Sequence, residues 1–232
     1  MDFHDRHVVI TGGTGALGAA VVGALVGAGA HCHVPFVVAG EVERFPFRAH
    51  EKVALAPVAN LADEAEVARL YEGVPRLWAS IHLAGGFAMA PLGETRKSDL
   101  MGQLETNFVT AFLCCRAAVN AMARHEGGRI VNTAARPALE WRTGAGMTAY
   151  AASKAAVAAL TAALGEELAK AGILVNAVAP SIMDTPANRA AMPKADHALW
   201  PKVEEVAATI VFLASPNNQV TRGAIVPVYG KS

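Results

Sequence analysis

Tyr150 and Lys154 lie one helical turn apart in the run Tyr150-Ala151-Ala152-Ser153-Lys154. Residues i and i+4 share a helix face, so this spacing sets an ammonium beside a phenol. A neighbouring cation favours the phenolate and is expected to lower the tyrosine pKa toward working pH, which makes a general acid/base. Taken alone, such a pair also fits an ordinary helix surface. A second constellation, Thr11-Gly12-Gly13-Thr14-Gly15-Ala16-Leu17-Gly18, follows the apolar run Val8-Val9-Ile10. Glycines there permit a tight turn and a close backbone approach to a pyrophosphate, and the N–H groups that open the next helix attract phosphate. With a strand before it and a helix after it, the turn reads as a dinucleotide site. No lysine follows the glycines, which excludes a Walker-type loop.

Other reactive residue types read more plainly. His31 and His33 share one face of a strand, yet no third ligand is spaced to complete a metal site, and none is expected. Cys114 and Cys115 fit core packing on a helix. Met89 and Met147 suit either a pocket wall or the core, and Trp141 suits a pocket loop for a flat substrate or a subunit interface.

The elements that must position these groups alternate. Strands are expected at Val8–Ile10, Cys32–Val38, Val53–Val58, Ala79–Leu83, Arg129–Thr133, Leu174–Ala179 and Ala224–Val228. Helices are expected at Ala16–Ala28, Ala62–Glu72, Leu100–Arg124 (one long or two abutting), Thr148–Ala171 and Val203–Ala214. This pattern predicts an α/β class, doubly wound Rossmann-type fold, with about seven parallel strands and helices on both faces. Two long connections, Ala135 to Met147 and Ser181 to Lys202, follow strands at their carboxyl ends, where open α/β sheets bind ligands. The second is expected to hold a short helix capped by Thr185 with Pro186 at its first position.

Composition bounds the rest. The chain has 232 residues, 53% of them hydrophobic and 17% charged, with 20 basic and 20 acidic side chains. That predicts a globular chain folding as a single domain over residues 1–232, with 181–202 on the substrate side. Zero formal net charge offers no surface for nucleic acid. No stretch reaches the roughly 18 apolar residues a membrane span requires. Three cysteines without CxxC spacing, and an N-terminus without the basic and apolar regions of a secretory signal, point to the cytoplasm.

Together the motifs resemble the short-chain dehydrogenase/reductase family over nearly the whole chain. The resemblance is carried by the Gly-rich turn, Ala84-Gly85-Gly86, Asn107, Tyr150 with Lys154, Val175-Asn176-Ala177-Val178-Ala179-Pro180 and Thr185-Pro186. It implies Tyr150 as proton donor, Lys154 holding the nicotinamide ribose and tuning Tyr150, and Asn107 holding a relay water. Cofactor contacts are implied at Gly12, Thr14, Gly15, Ala16, Leu17, Asn60, Leu61, Ala84, Gly85, Gly86, Lys154, Pro180, Ile182 and Thr185. A homodimer or homotetramer through the two long helices is also implied.

Four positions depart from the family pattern. Ala135 or Ala134 stands where a serine hydroxyl normally meets the substrate carbonyl, with Thr133, Thr143 and Thr148 nearby. His82-Leu83-Ala84-Gly85 replaces Asn-Asn-Ala-Gly, and Ala16 replaces a glycine. Pro35 and Phe36 end the second strand where an acid would hold an NAD ribose. Without that acid, and with Arg44 or Arg48 in reach of a 2′-phosphate, NADP(H) is favoured over NAD(H). Thr133 to Leu139, Gly146-Met147, Asp184 to Pro193, Ala195-Asp196 and Trp200 resemble dihydropteridine reductases, which lack the serine. The expected activity is NAD(P)H-dependent hydride transfer to a small C=O or C=N centre. An ordinary carbonyl or 3-oxoacyl reductase and a catalytically weak dinucleotide sensor are the alternatives.

Overall fold

Seven short β-branched runs pair into one parallel sheet in a computed structural model that describes residues 1–125 and 127–232. The strands are β1 (His7–Thr11), β2 (His31–Phe36), β3 (Val53–Pro57), β4 (Leu77–His82), β5 (Gly128–Thr133), β6 (Ile173–Pro180) and β7 (Ile225–Val228). Their order, β3-β2-β1-β4-β5-β6-β7, reverses direction between β1 and β4. A crevice forms at such a switch point, outside the carboxyl ends of the strands.

Alternation along each strand divides the core. Val8, Ile10, Ile81, Val131 and Val178 face α1 (Ala16–Gly27) and α8 (Val203–Ala214), added through Val21, Leu25, Val206 and Ile210. Val9, Ile130 and Val175 face the opposite way, onto α3 (Glu64–Glu72), α5 (Thr110–Met122) and α6 (Thr148–Glu167). Both faces are covered, so the strands are apolar on both sides, as parallel sheets require.

Several boundaries differ from expectation. The second strand stops at Phe36, and a six-residue helix, α2 (Ala39–Arg44), follows it. Its Gly40, its β-branched Val42 and the absence of a side-chain cap give it no sequence signature. The expected Leu100–Arg124 helix is α4 (Lys97–Gln103), a π-helical stretch at Leu104–Val109, and α5. The loop after β6 holds α7 (Pro186–Ala191), with Asn188 N–H donating to Thr185 Oγ1 at 3.2 Å and Pro186 in the first turn, as predicted.

Cys32, Cys114 and Cys115 are free and buried, and burial pushes each thiol up to about 12. Among the described residues no helix is long and apolar enough to cross a membrane.

Candidate active site

The turn after β1 is built by close backbone approach. Gly12 has φ +68°, and a Cβ there would lie 2.7 Å from the Ala84 nitrogen. Thr11 fastens the two loops together: its carbonyl accepts from Leu83 N–H at 3.0 Å and its Oγ1 from Ala84 N–H at 3.3 Å. Gly15, the residue preceding α1, offers no side-chain cap, and the first turn of α1 carries no acidic residue. An uncapped N-terminus of this kind fits an anionic pyrophosphate. Gly15 and Ala16 are exposed and Thr14 is half-buried, while the Leu17 side chain packs into the core.

Across the crevice, Asn107 lies in the π-helical stretch, a distortion that often marks a functional position. It is buried, its Oδ1 accepts from Gly86 N–H at 3.0 Å, and its Nδ2 donates to the Gly86 carbonyl at 2.9 Å and to Ser153 Oγ at 3.1 Å. Ser153 Oγ in turn donates to the Tyr150 carbonyl at 2.7 Å. The Asn107 amide therefore clamps the Ala84-Gly85-Gly86 loop to the helix that carries Tyr150. The Asn107 side chain is thus engaged by the Gly86 backbone and by the Ser153 and Gln103 side chains. Gly85 makes the contact possible, since a Cβ there would lie 2.6 Å from Asn107 Oδ1 and 3.3 Å from Lys154 Nζ.

Lys154 is 6% exposed, and its Nζ donates to the Thr133 carbonyl at 2.8 Å. Desolvation pushes it down to about 8. Tyr150 packs edge-on against Phe87, ring centroids 5.0 Å apart, and burial pushes its phenol up to about 12. That is opposite to the lowering expected from a neighbouring ammonium. Loss of water around the phenol sets this direction, and the Lys154 hydrogen bond goes to Thr133 instead.

The remaining expected residues divide. Pro180 ends β6 in the core, Thr185 caps α7, and Ile182 is 44% exposed between them. Asn60 Oδ1 is held by Ala62 N–H at 2.8 Å, and the Leu61 side chain lies in the core, so only the Leu61 backbone can face a ligand. Ala135 presents a buried methyl at the serine position. Thr143 is exposed and donates to the Glu140 carbonyl, and Thr148 is exposed. Thr133 Oγ1 is buried with no hydrogen-bond partner among the described residues. An orphaned hydroxyl beside the Lys154 anchor fits a ligand at this edge.

Met89 and Met147 line a cleft of about 390 Å³ together with Thr95, Asp99, Gln103 and Thr106. Both flank it as wall residues. Trp141 is 78% exposed on the neighbouring loop.

Sequence reasoning missed two features. His82 does not open toward the crevice: its Nδ1 meets Asn132 Oδ1 at 2.7 Å and its Nε2 meets Ser80 Oγ at 2.8 Å, all buried. Glu41, on the unpredicted α2, accepts from Thr14 Oγ1 at 2.6 Å. His7 joins His33 ring to ring, Nδ1 to Nε2 at 2.9 Å, and stacks on His31. No group of three or more His, Cys, Asp or Glu among the described residues is arranged to hold a metal ion.

Residues 6–196 match the family model described as short chain dehydrogenase. The chain belongs to the short-chain dehydrogenase family. This short-chain dehydrogenase is 35% identical to a 2,3-dihydro-2,3-dihydroxybenzoate dehydrogenase of Escherichia coli, over 82% of the chain and 74% of that protein. It is 32% identical to a galactitol 2-dehydrogenase of Rhizobium johnstonii, over 96% and 93%. A short-chain type dehydrogenase/reductase from Mycobacterium ulcerans superposes with TM-score 0.90 at 25% identity, covering 100% of this chain and 90% of that one. The chain is thus an NAD(P)-dependent oxidoreductase.

Proposed function

We propose that this short-chain dehydrogenase, acting as a single domain, moves hydride between a nicotinamide dinucleotide and a small C=O or C=N centre, with Tyr150 carrying the proton. The observation that carries this is the joint between Asn107, Gly86, Ser153 and Tyr150, with buried Lys154 anchored on Thr133 beside it. The dinucleotide, when bound, supplies or accepts the hydride. The turn from Gly12 to Leu17 and the Ala84-Gly85-Gly86 loop would hold it, with Lys154 near the reacting end. Tyr150 keeps its proton at neutral pH, which suits the reductive direction, where it protonates the product. Lys154 stays roughly ten to one charged at pH 7 and supports the anion that Tyr150 becomes.

Ala135 selects among substrates. A hydroxyl donating to a developing oxyanion is worth about 10²–10³ in rate, and this chain omits it. A substrate that is already strongly electrophilic, or that accepts the proton on a ring nitrogen, does without such a donor; a quinonoid dihydropterin or quinone-like ring is of this class. Exposed Phe87, Met89, Leu92, Trp141 and Ile182, all in the connections that follow strands at the carboxyl edge, support a flat and largely apolar ligand. The orphaned Thr133 hydroxyl favours a second reading, in which it replaces serine for ordinary carbonyls or 3-oxoacyl thioesters.

A substrate panel of quinonoid dihydropterin, a quinone and a 3-oxoacyl thioester tests this, following dinucleotide absorbance. Tyr150→Phe should lower kcat by about 10²–10⁴ with dinucleotide affinity little changed. Ala135→Ser should raise 3-oxoacyl reduction without helping the quinonoid substrate. Near-full activity of Tyr150→Phe would overturn the proton role, and efficient wild-type reduction of the thioester alone would install the second reading.

We also assign a twofold assembly through α5 and α6, supported by exposed Phe112 and by the alanine-rich surface of α6. Three reduced, buried thiols support a reducing compartment such as the cytoplasm.

A further inference from the structure

The hydrogen bond from Thr14 Oγ1 to Glu41 Oε2, at 2.6 Å, joins the Gly-rich turn to the helix after β2. It brings a carboxylate to the mouth of the crevice on the β2 side of β1, the side away from β4. Dinucleotide-binding sheets hold the adenosine ribose at this side, where an acid about 20 residues past the glycines meets the 2′-hydroxyl. Pro35 and Phe36 leave the end of β2 without that acid. Glu41, five residues past Phe36, arrives at the same turn through α2.

We propose that Glu41 reads the adenosine ribose and makes this chain select NAD(H) over NADP(H), the reverse of the preference expected from the sequence alone. The inference rests on the dinucleotide reading of the Gly-rich turn. Thr14, a neutral donor, holds one carboxylate oxygen by a charge-assisted bond. Oε1 has no partner among the described residues and is free to accept from vicinal hydroxyls. A 2′-phosphate in the same place meets like charge, which an exposed cation must offset. Arg44 follows Glu41 by one helical turn but is exposed and forms no ion pair with it. Arg48 directs its guanidinium to the Phe45 carbonyl, at 3.5 Å. Neither neutralises Glu41.

Calorimetric titration of the whole chain with NAD⁺, NADP⁺, ADP-ribose and 2′-phospho-ADP-ribose reads this without turnover. NAD⁺ should bind at least about tenfold more tightly than NADP⁺, a difference of about 1.4 kcal/mol, and the ADP-ribose pair should show the same ratio. Glu41→Gln, which still accepts from Thr14, should bring the ratio to within about threefold by tightening the 2′-phosphorylated ligands. Glu41→Asp, which keeps the charge, should leave them weak. Wild-type protein binding NADP⁺ as tightly as NAD⁺, or a ratio that Glu41→Gln does not move, overturns the assignment while the dinucleotide site stands. Failure of all four ligands to bind overturns both.

Discussion

Replacing His82 with asparagine, the residue type of the family pattern at this position, should flatten the acid limb of the stability curve. His82 is 3% exposed and held at about 4, against 6.5 in the unfolded chain, chiefly by desolvation. We assign its protonation from the network. Asn132 Nδ2 donates to Thr161 Oγ1 at 2.9 Å, which turns Asn132 Oδ1 toward His82 Nδ1–H. Nε2 then accepts from Ser80 Oγ, whose other contact is Tyr71 OH at 2.6 Å. The neutral ring satisfies every partner, and a second ring proton would face the Ser80 hydroxyl.

The folded pKa is depressed, so the unfolded chain binds the extra proton first as pH falls. The contribution of the neutral ring is fully present above 6.5 and is lost between 6.5 and about 4. Those two values give a loss of about 2 kcal/mol by pH 5 and about 3 kcal/mol by pH 4. His33 is held down in the same window, to about 4, and titrates equally in both proteins, so it cancels in the comparison. Urea unfolding of wild type and His82→Asn at pH 7 and pH 5 is the assay. The variant starts lower at pH 7, because Ser80 loses its acceptor, yet wild type should lose about 2 kcal/mol more on acidification. Parallel losses in the two proteins would refute the reasoning.

Two further outcomes follow from the same geometry. Asn107→Ala leaves the Gly86 N–H and carbonyl unpartnered, each worth about 1–3 kcal/mol, and frees the loop from Ser153. Its kcat/KM should fall about 10–100-fold, with Asn107→Asp intermediate because it restores only the acceptor; equal rates for all three would remove Asn107 from the positioning role. Light scattering at micromolar concentration should report a dimer or tetramer, and a particle of 24.1 kDa would contradict the assembly through α5 and α6.

Much of this fold was legible because its signals are local. The turn Gly12 to Gly18, the apolar runs that alternate with helical stretches and the Thr185-Pro186 helix start each depend on residues a few positions apart, which backbone sterics and capping decide. The i and i+4 placement of Tyr150 and Lys154 was equally readable. Their electrostatics were not, because burial set both pKa directions and the Lys154 hydrogen bond crosses 21 residues to Thr133. Met89 and Met147 could be offered from sequence as wall or core, and only the arrangement of the β4 loop, α4 and the start of α6 made them walls. His82 follows the same logic: strand alternation turned it into the core on the side of Tyr71 and Asn132. The contact between Thr14 and Glu41 shows the limit most sharply. Sequence position put no acid at the end of β2, and the fold brought Glu41 to Thr14 across 27 residues, since the pairing of β1 with β2 and the reversal through α2 fix which residues meet, whatever their spacing along the chain.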